Sequence, residues 1–162
     1  MTMNSRFQLL AAVLLVVLVS GCGGNITNPM SSLNPGALTA DFPDGREFLS
    51  GSAKVSDQSN IYLVSATQDA SGLPQDEISI SIPKGASLPY TVSSSEGADL
   101  IYNNVTTNVT NSYEANAAQG NCTITVTQLS PTFQGTFSGR VICNTISDSV
   151  LLSNGQFNAT YN

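Results

Sequence analysis

The sequence predicts an all-β protein, a single antiparallel β-sandwich with a small β-barrel as the alternative. Three observations carry this. From Ala37 onward apolar and polar residues alternate with period 2. Clusters of Gly, Pro, Asp, Asn and Ser recur about every 8 to 15 residues. No stretch of useful length repeats with the helical period.

The first 21 residues stand apart. Arg6 is their single charge, residues 7–19 are apolar apart from Gln8, and Ser20 and Gly21 precede Cys22. A cationic start, a short apolar run and a small-residue cleavage site describe a secretory signal peptide. The run falls short of the roughly 20 apolar residues of a transmembrane helix. Residues 22–35 are rich in Gly, Ser, Asn and Pro, lack periodicity, and predict a flexible tether. The β-domain is expected over residues 36–162.

Within it, Glu77-Ile78-Ser79-Ile80-Ser81-Ile82 puts three isoleucines on one side, the pattern of a half-buried strand. Ile61-Tyr62-Leu63-Val64-Ser65-Ala66-Thr67 is a second strand. Tyr90-Thr91-Val92 and Leu100-Ile101-Tyr102 belong to two more. Gly155-Gln156-Phe157-Asn158-Ala159-Thr160-Tyr161 collects Phe157, Ala159 and Tyr161 on one face. Turns are expected at Pro43-Asp44-Gly45, Asp69-Ala70-Ser71-Gly72, Ser94-Ser95-Glu96-Gly97 and Asn154-Gly155. Residues 112–118 are the one place where a helical turn is compatible with the pattern.

Cys122 opens one alternating segment and Cys143 closes another, with Ser130-Pro131 between them. If the segments pair as a hairpin with the cysteines opposite, Ile124 faces Val141, Val126 faces Gly139 and Gln128 faces Phe137. Threonines and Arg140 then take the other side. Opposed strand residues lie about 4.5 to 5.5 Å apart at Cα, within reach of a disulfide. A Cys122–Cys143 disulfide is therefore expected in an oxidising compartment.

Composition narrows the function. Cleavage before Cys22 removes only Arg6 among the charged residues, so 5 basic and 11 acidic residues become 4 and 11, a balance of −7. Such a chain repels phosphate backbones, and nucleic acid is not expected as a partner. The absence of histidine excludes Ser-His-Asp and Cys-His catalysis and His-ligated zinc. Asp41, Asp44 and Glu47 place three acids within seven residues, a weak calcium candidate. Pro-Asp-Gly also makes a tight turn, and the turn is preferred. Asp76 and Glu77 are adjacent, so on a strand they point to opposite faces. No nucleophile elbow, phosphate-binding loop or dinucleotide fingerprint is present, and no cofactor is expected.

Val19-Ser20-Gly21-Cys22 resembles the lipobox of bacterial lipoproteins. The resemblance implies acylation of Cys22, a membrane attachment without a spanning helix, and residence in the cell envelope. Gly23 after the cysteine is compatible with the outer membrane. The domain is also similar, over roughly residues 38–161, to small β-rich lipoproteins of uncharacterised function. This rests on the Asp-Gly turn followed by Phe48, the strand Gly135-Thr136-Phe137-Ser138-Gly139, and Gly155-Gln156-Phe157. It transfers no catalytic residue. The expected function is non-enzymatic, a binding or structural module meeting an envelope protein or a glycan. The alternatives are a hydrolase using two carboxylates, or a barrel carrying a small apolar ligand.

Overall fold

The computed structural model describes residues 33–68, 75–106 and 109–162. Cys22, residues 1–32 and the expected turn at 69–72 lie outside them. Among the described residues there is no α-helix, and no helix long and apolar enough to cross a membrane.

Eleven strands of the described residues form one mixed sheet. They are β1 (Ala37–Asp41), β2 (Glu47–Ser50), β3 (Lys54–Asp57), β4 (Ile61–Thr67), β5 (Glu77–Pro83), β6 (Tyr90–Ser93), β7 (Asp99–Val105), β8 (Thr110–Ala115), β9 (Asn121–Gln128), β10 (Phe133–Cys143) and β11 (Asp148–Tyr161). A 3₁₀ turn (Ser94–Glu96) links β6 to β7, at one of the expected turns. The strand order is β2-β1-β11-β3-β4-β5-β7-β8-β10-β9-β6, and β10 also pairs with β11. The pairing thus returns on itself. β11–β3 is parallel over two residue pairs, and β8 meets β10 at the single pair Glu114–Ile142. Apart from β11–β3, the pairings among the described residues are antiparallel. The parallel join departs from the purely antiparallel expectation.

Alternation explains the strands. In β5 the side chains of Ile78, Ile80 and Ile82 are fully buried while Glu77, Ser79 and Ser81 face outward. Each buried isoleucine contributes about 1.5–3 kcal/mol. β4 matches its predicted bounds and buries Tyr62, Val64 and Ala66. These meet Leu38, Phe48, Leu100, Ile124, Val126, Phe133 and Phe157 in one core. Rings cross the interior, with Tyr62 and Phe133 centred 4.7 Å apart and Phe42 and Tyr102 5.2 Å apart.

Two local expectations are corrected. Residues 112–118 hold no helical turn, because β8 runs to Ala115 and buries Tyr113 and Ala115 by alternation. Asn154-Gly155 is a bulge inside β11 rather than a turn. Pairing with β10 steps from Gly139–Leu152 to Phe137–Gly155, and pairing with β1 steps from Asp41–Ser153 to Thr39–Gln156. Asn154 has φ 50, and a Cβ on Gly155 would lie 2.5 Å from Phe137 O. Left-handed backbone and close approach suit Asn-Gly equally in a turn and in a bulge.

The strands run between two ends. The lower end gathers the β3–β4 link (residues 58–60), residues 84–89, the β9–β10 turn (residues 129–132) and Tyr161. The upper end gathers the β1–β2 turn (residues 42–46), the β10–β11 turn (residues 144–147), Asp76 and the end of β7.

Candidate functional site

Cys122 and Cys143 form no disulfide; both are free and buried. The hairpin between β9 and β10 is present, but its register differs by four residues from the expected one. Cys122 faces Gly139, Ile124 faces Phe137 and Val126 faces Gly135. Cys143 instead faces Asp148 on β11. Four residues along a strand put it roughly 13 Å beyond the position opposite Cys122, outside disulfide reach. A shift by an even number leaves every side chain on its expected face. Volume selects between such registers. A Cβ on Gly139 would lie 2.9 Å from Cys122 Cβ and 2.6 Å from Asn121 O, so the backbones close up where a glycine stands. Burial and the charge of Asp99 push the Cys122 thiol up to about 11, which disfavours the reactive thiolate.

Asp41, Asp44 and Glu47 do not converge on a metal site. Phe42, Pro43, Asp44, Gly45 and Arg46 form the preferred tight turn, with Gly45 N donating to Phe42 O and Phe42 N to Arg46 O. Gly45 has φ 84, which glycine adopts without strain. Arg46 Nε donates to Asp44 Oδ2 at 2.7 Å, and this bond holds the Asp44 carboxyl below its ordinary value. Asp41 accepts from Asn154 Nδ2 at 2.8 Å. Among the described residues no three His, Cys, Asp or Glu side chains form a group able to hold a metal.

Asp76 heads a polar cluster that alternation alone did not reveal. Its carboxylate accepts from Tyr102 Oη at 2.6 Å, from Asn104 Nδ2 at 3.1 Å and from Val105 N at 3.0 Å. Glu77 points the other way and accepts from Asn103 Nδ2, as adjacent strand residues must. Tyr102 also packs on Tyr113, whose hydroxyl donates to Asp148 Oδ2. Burial, then the hydrogen bond to Asp76 and its charge, push the Tyr102 hydroxyl well above its ordinary value. Every strong acceptor position of Asp76 is engaged by this chain, so the cluster secures the upper end.

The outward face of β6, β9, β10 and β11 is different in kind. Thr123, Thr125, Thr136, Ser138, Asn154 and Gln156 line an open groove of about 520 Å³. A neighbouring groove of about 550 Å³ shares Thr123 and Ser138 with it, and adds Ser93, Ser95, Asn121 and Ser153. Thr91 and Thr125 hydroxyls lie 2.9 Å apart across β6 and β9. The hydroxyls stand at alternate positions of paired strands, so the even register shift leaves them together. Their surface offers neutral donors and acceptors without a formal charge.

Comparison with protein-family models, curated proteins and solved structures finds no match for this chain.

Proposed function

We propose that the chain is a cell-envelope lipoprotein, held to the outer membrane through acyl chains on Cys22, and that its β-domain is a non-enzymatic binding module. The lipobox-like residues 19–22 support the anchor. The observation that carries the binding role is the hydroxyl-lined outer face of β9, β10 and β11, with its two adjoining grooves. Neutral hydroxyl and amide groups suit the hydroxyls of a glycan or the polar rim of an envelope protein. The non-enzymatic role is supported by the absence of histidine and by the engagement of Asp76 and Asp44 within the fold.

The architecture that fits is a sandwich. Six strands, β2-β1-β11-β10-β9-β6, face five, β3-β4-β5-β7-β8. Among the described residues, strand pairing joins the leaves at two pairs of β11–β3 and one pair of β8–β10.

The binding role is tested by placing a photoreactive residue at Thr125 or Thr136 of the full chain in intact cells, with a control at Ser79 on β5. The expected result is one discrete covalent adduct from the β9–β10 positions and none from Ser79. Uniform or absent adducts at all three would remove the outer face as a binding surface.

A further inference from the structure

We infer that the lower end of the β-domain rests on the bilayer that holds Cys22, with the acidic upper end turned away from it; this rests on the lipoprotein reading. The point of chain entry supplies the first observation. Leu33 O accepts from Asn158 Nδ2 at 2.7 Å, and Gly36 N donates to Asn158 O. Asn158 stands three residues before Tyr161, so the chain joins the domain about 10 Å above the lower end. Ten residues separate Cys22 from Leu33, and the tether expected from their sequence would reach roughly 17 Å. β11 alone is 14 residues long, roughly 45 Å if fully extended. The lower end is therefore the part of the domain that the anchor holds near the headgroups.

The chemistry of the two ends is the second observation. At the lower end Leu88 is 41% and Tyr161 39% exposed. Tyr161 Oη donates to Leu129 O at 2.5 Å. Lys84 Nζ lies 2.6 Å from Asp57 and 4.9 Å from the centre of the Tyr62 ring. Lys54, beside Thr160, is the second cation. Glu96, higher on the same side, folds back on the Ser93 amide and hydroxyl. The upper end carries Asp41, Asp44, Glu47, Asp76, Glu77 and Asp148 against Arg46. An apolar side chain, an amphipathic tyrosine and lysines suit the headgroup boundary. A concentration of carboxylates is repelled by anionic lipid. Chain entry and charge distribution thus select the same end.

The sequence contains no tryptophan, so a single introduced tryptophan is its own reporter. The lipidated full chain is reconstituted into phosphatidylcholine–phosphatidylglycerol vesicles with brominated acyl chains. Leu88→Trp and Tyr161→Trp report on the lower end. Ile146→Trp and Val109→Trp, both at exposed positions of the upper end, report on the other. The expected result is loss of about half or more of the emission in the lower-end variants, the effect of shallow insertion, and unchanged emission in the upper-end variants. Two lower-end reporters guard against one failing to fold. Equal quenching at both ends, or none at either in a chain that carries an acyl label and floats with the vesicles, overturns the orientation and leaves the lipoprotein reading standing. A chain without acyl label that does not float overturns both.

Discussion

Asp76 holds together three groups from a strand that begins more than 20 residues later in the chain: the Tyr102 hydroxyl, the Asn104 amide and the Val105 backbone amide. Removing the carboxylate strands these donors in partly buried surroundings, at about 1–3 kcal/mol per unsatisfied group. Asp76→Ala is therefore expected to lower the unfolding midpoint in urea by more than Tyr102→Phe, which removes one donor and leaves Asp76 its others. Equal midpoints for Asp76→Ala and the parent would show that the cluster contributes nothing. The same tyrosine predicts a pH dependence. Its folded-state value is raised above the ordinary 10.0 by burial and by Asp76, and Tyr90, Tyr113 and Tyr161 shift the same way. For such groups the fold favours the neutral form. The stability they contribute is complete below the unfolded-state value and is lost as pH rises through the folded one. Urea midpoints are expected to fall above about pH 10, less steeply in Tyr102→Phe. Identical alkaline slopes would remove Tyr102 as a source.

The β9–β10 hairpin shows what alternation can and cannot specify. The expected faces were right: Ile124, Val126, Phe137 and Val141 are buried, while Thr123, Ser138 and Arg140 are exposed. The expected partners were four residues out, and with them the Cys122–Cys143 disulfide. Period-2 alternation is unchanged by any shift of two, so it fixes parity alone. Partner choice comes from backbone approach at Gly139 and from where the turn closes. The two registers make opposite predictions for an engineered pair. Thr123→Cys with Ser138→Cys places thiols on directly paired residues, and oxidation should cross-link them almost completely. Thr123→Cys with Ile142→Cys, partners in the other register, should stay reduced. Peptide mass mapping decides it, and the reverse pattern would restore the expected register.

For the molecule as a whole, the proposed anchor and the domain are expected to be separable. The described strands run from Ala37 to Tyr161 and share one core; the lipobox-like residues 19–22 are not among the described residues. Cys22→Ser is expected to abolish acyl labelling and move the chain from the detergent phase to the aqueous phase. Its thermal unfolding midpoint should stay within a degree or so of the parent, since every residue of the described core is unchanged. A variant that remains with membranes and keeps its label would refute the lipid anchor. A large fall in the midpoint would refute separability.

Alternation by itself determined the all-β class, the strand β4 at its observed bounds and β5 to within one residue, and which side chains of β9 and β10 turn inward, because those properties are local and repeat every two residues. At the end of β11 it failed, since Asn158 is buried and Tyr161, expected on the face of Phe157 and Ala159, is exposed. The lipid anchor is likewise a proposal from sequence alone. Tertiary structure decided the rest. It set the hairpin partners, turned Asn154-Gly155 into a bulge, joined β11 to β3 in parallel, and brought Asp76 to Tyr102, Asn104 and Val105. Each of these depends on volumes and backbone approach between segments far apart in the chain. A repeat of two residues is the same for every such pairing, so it cannot choose among them.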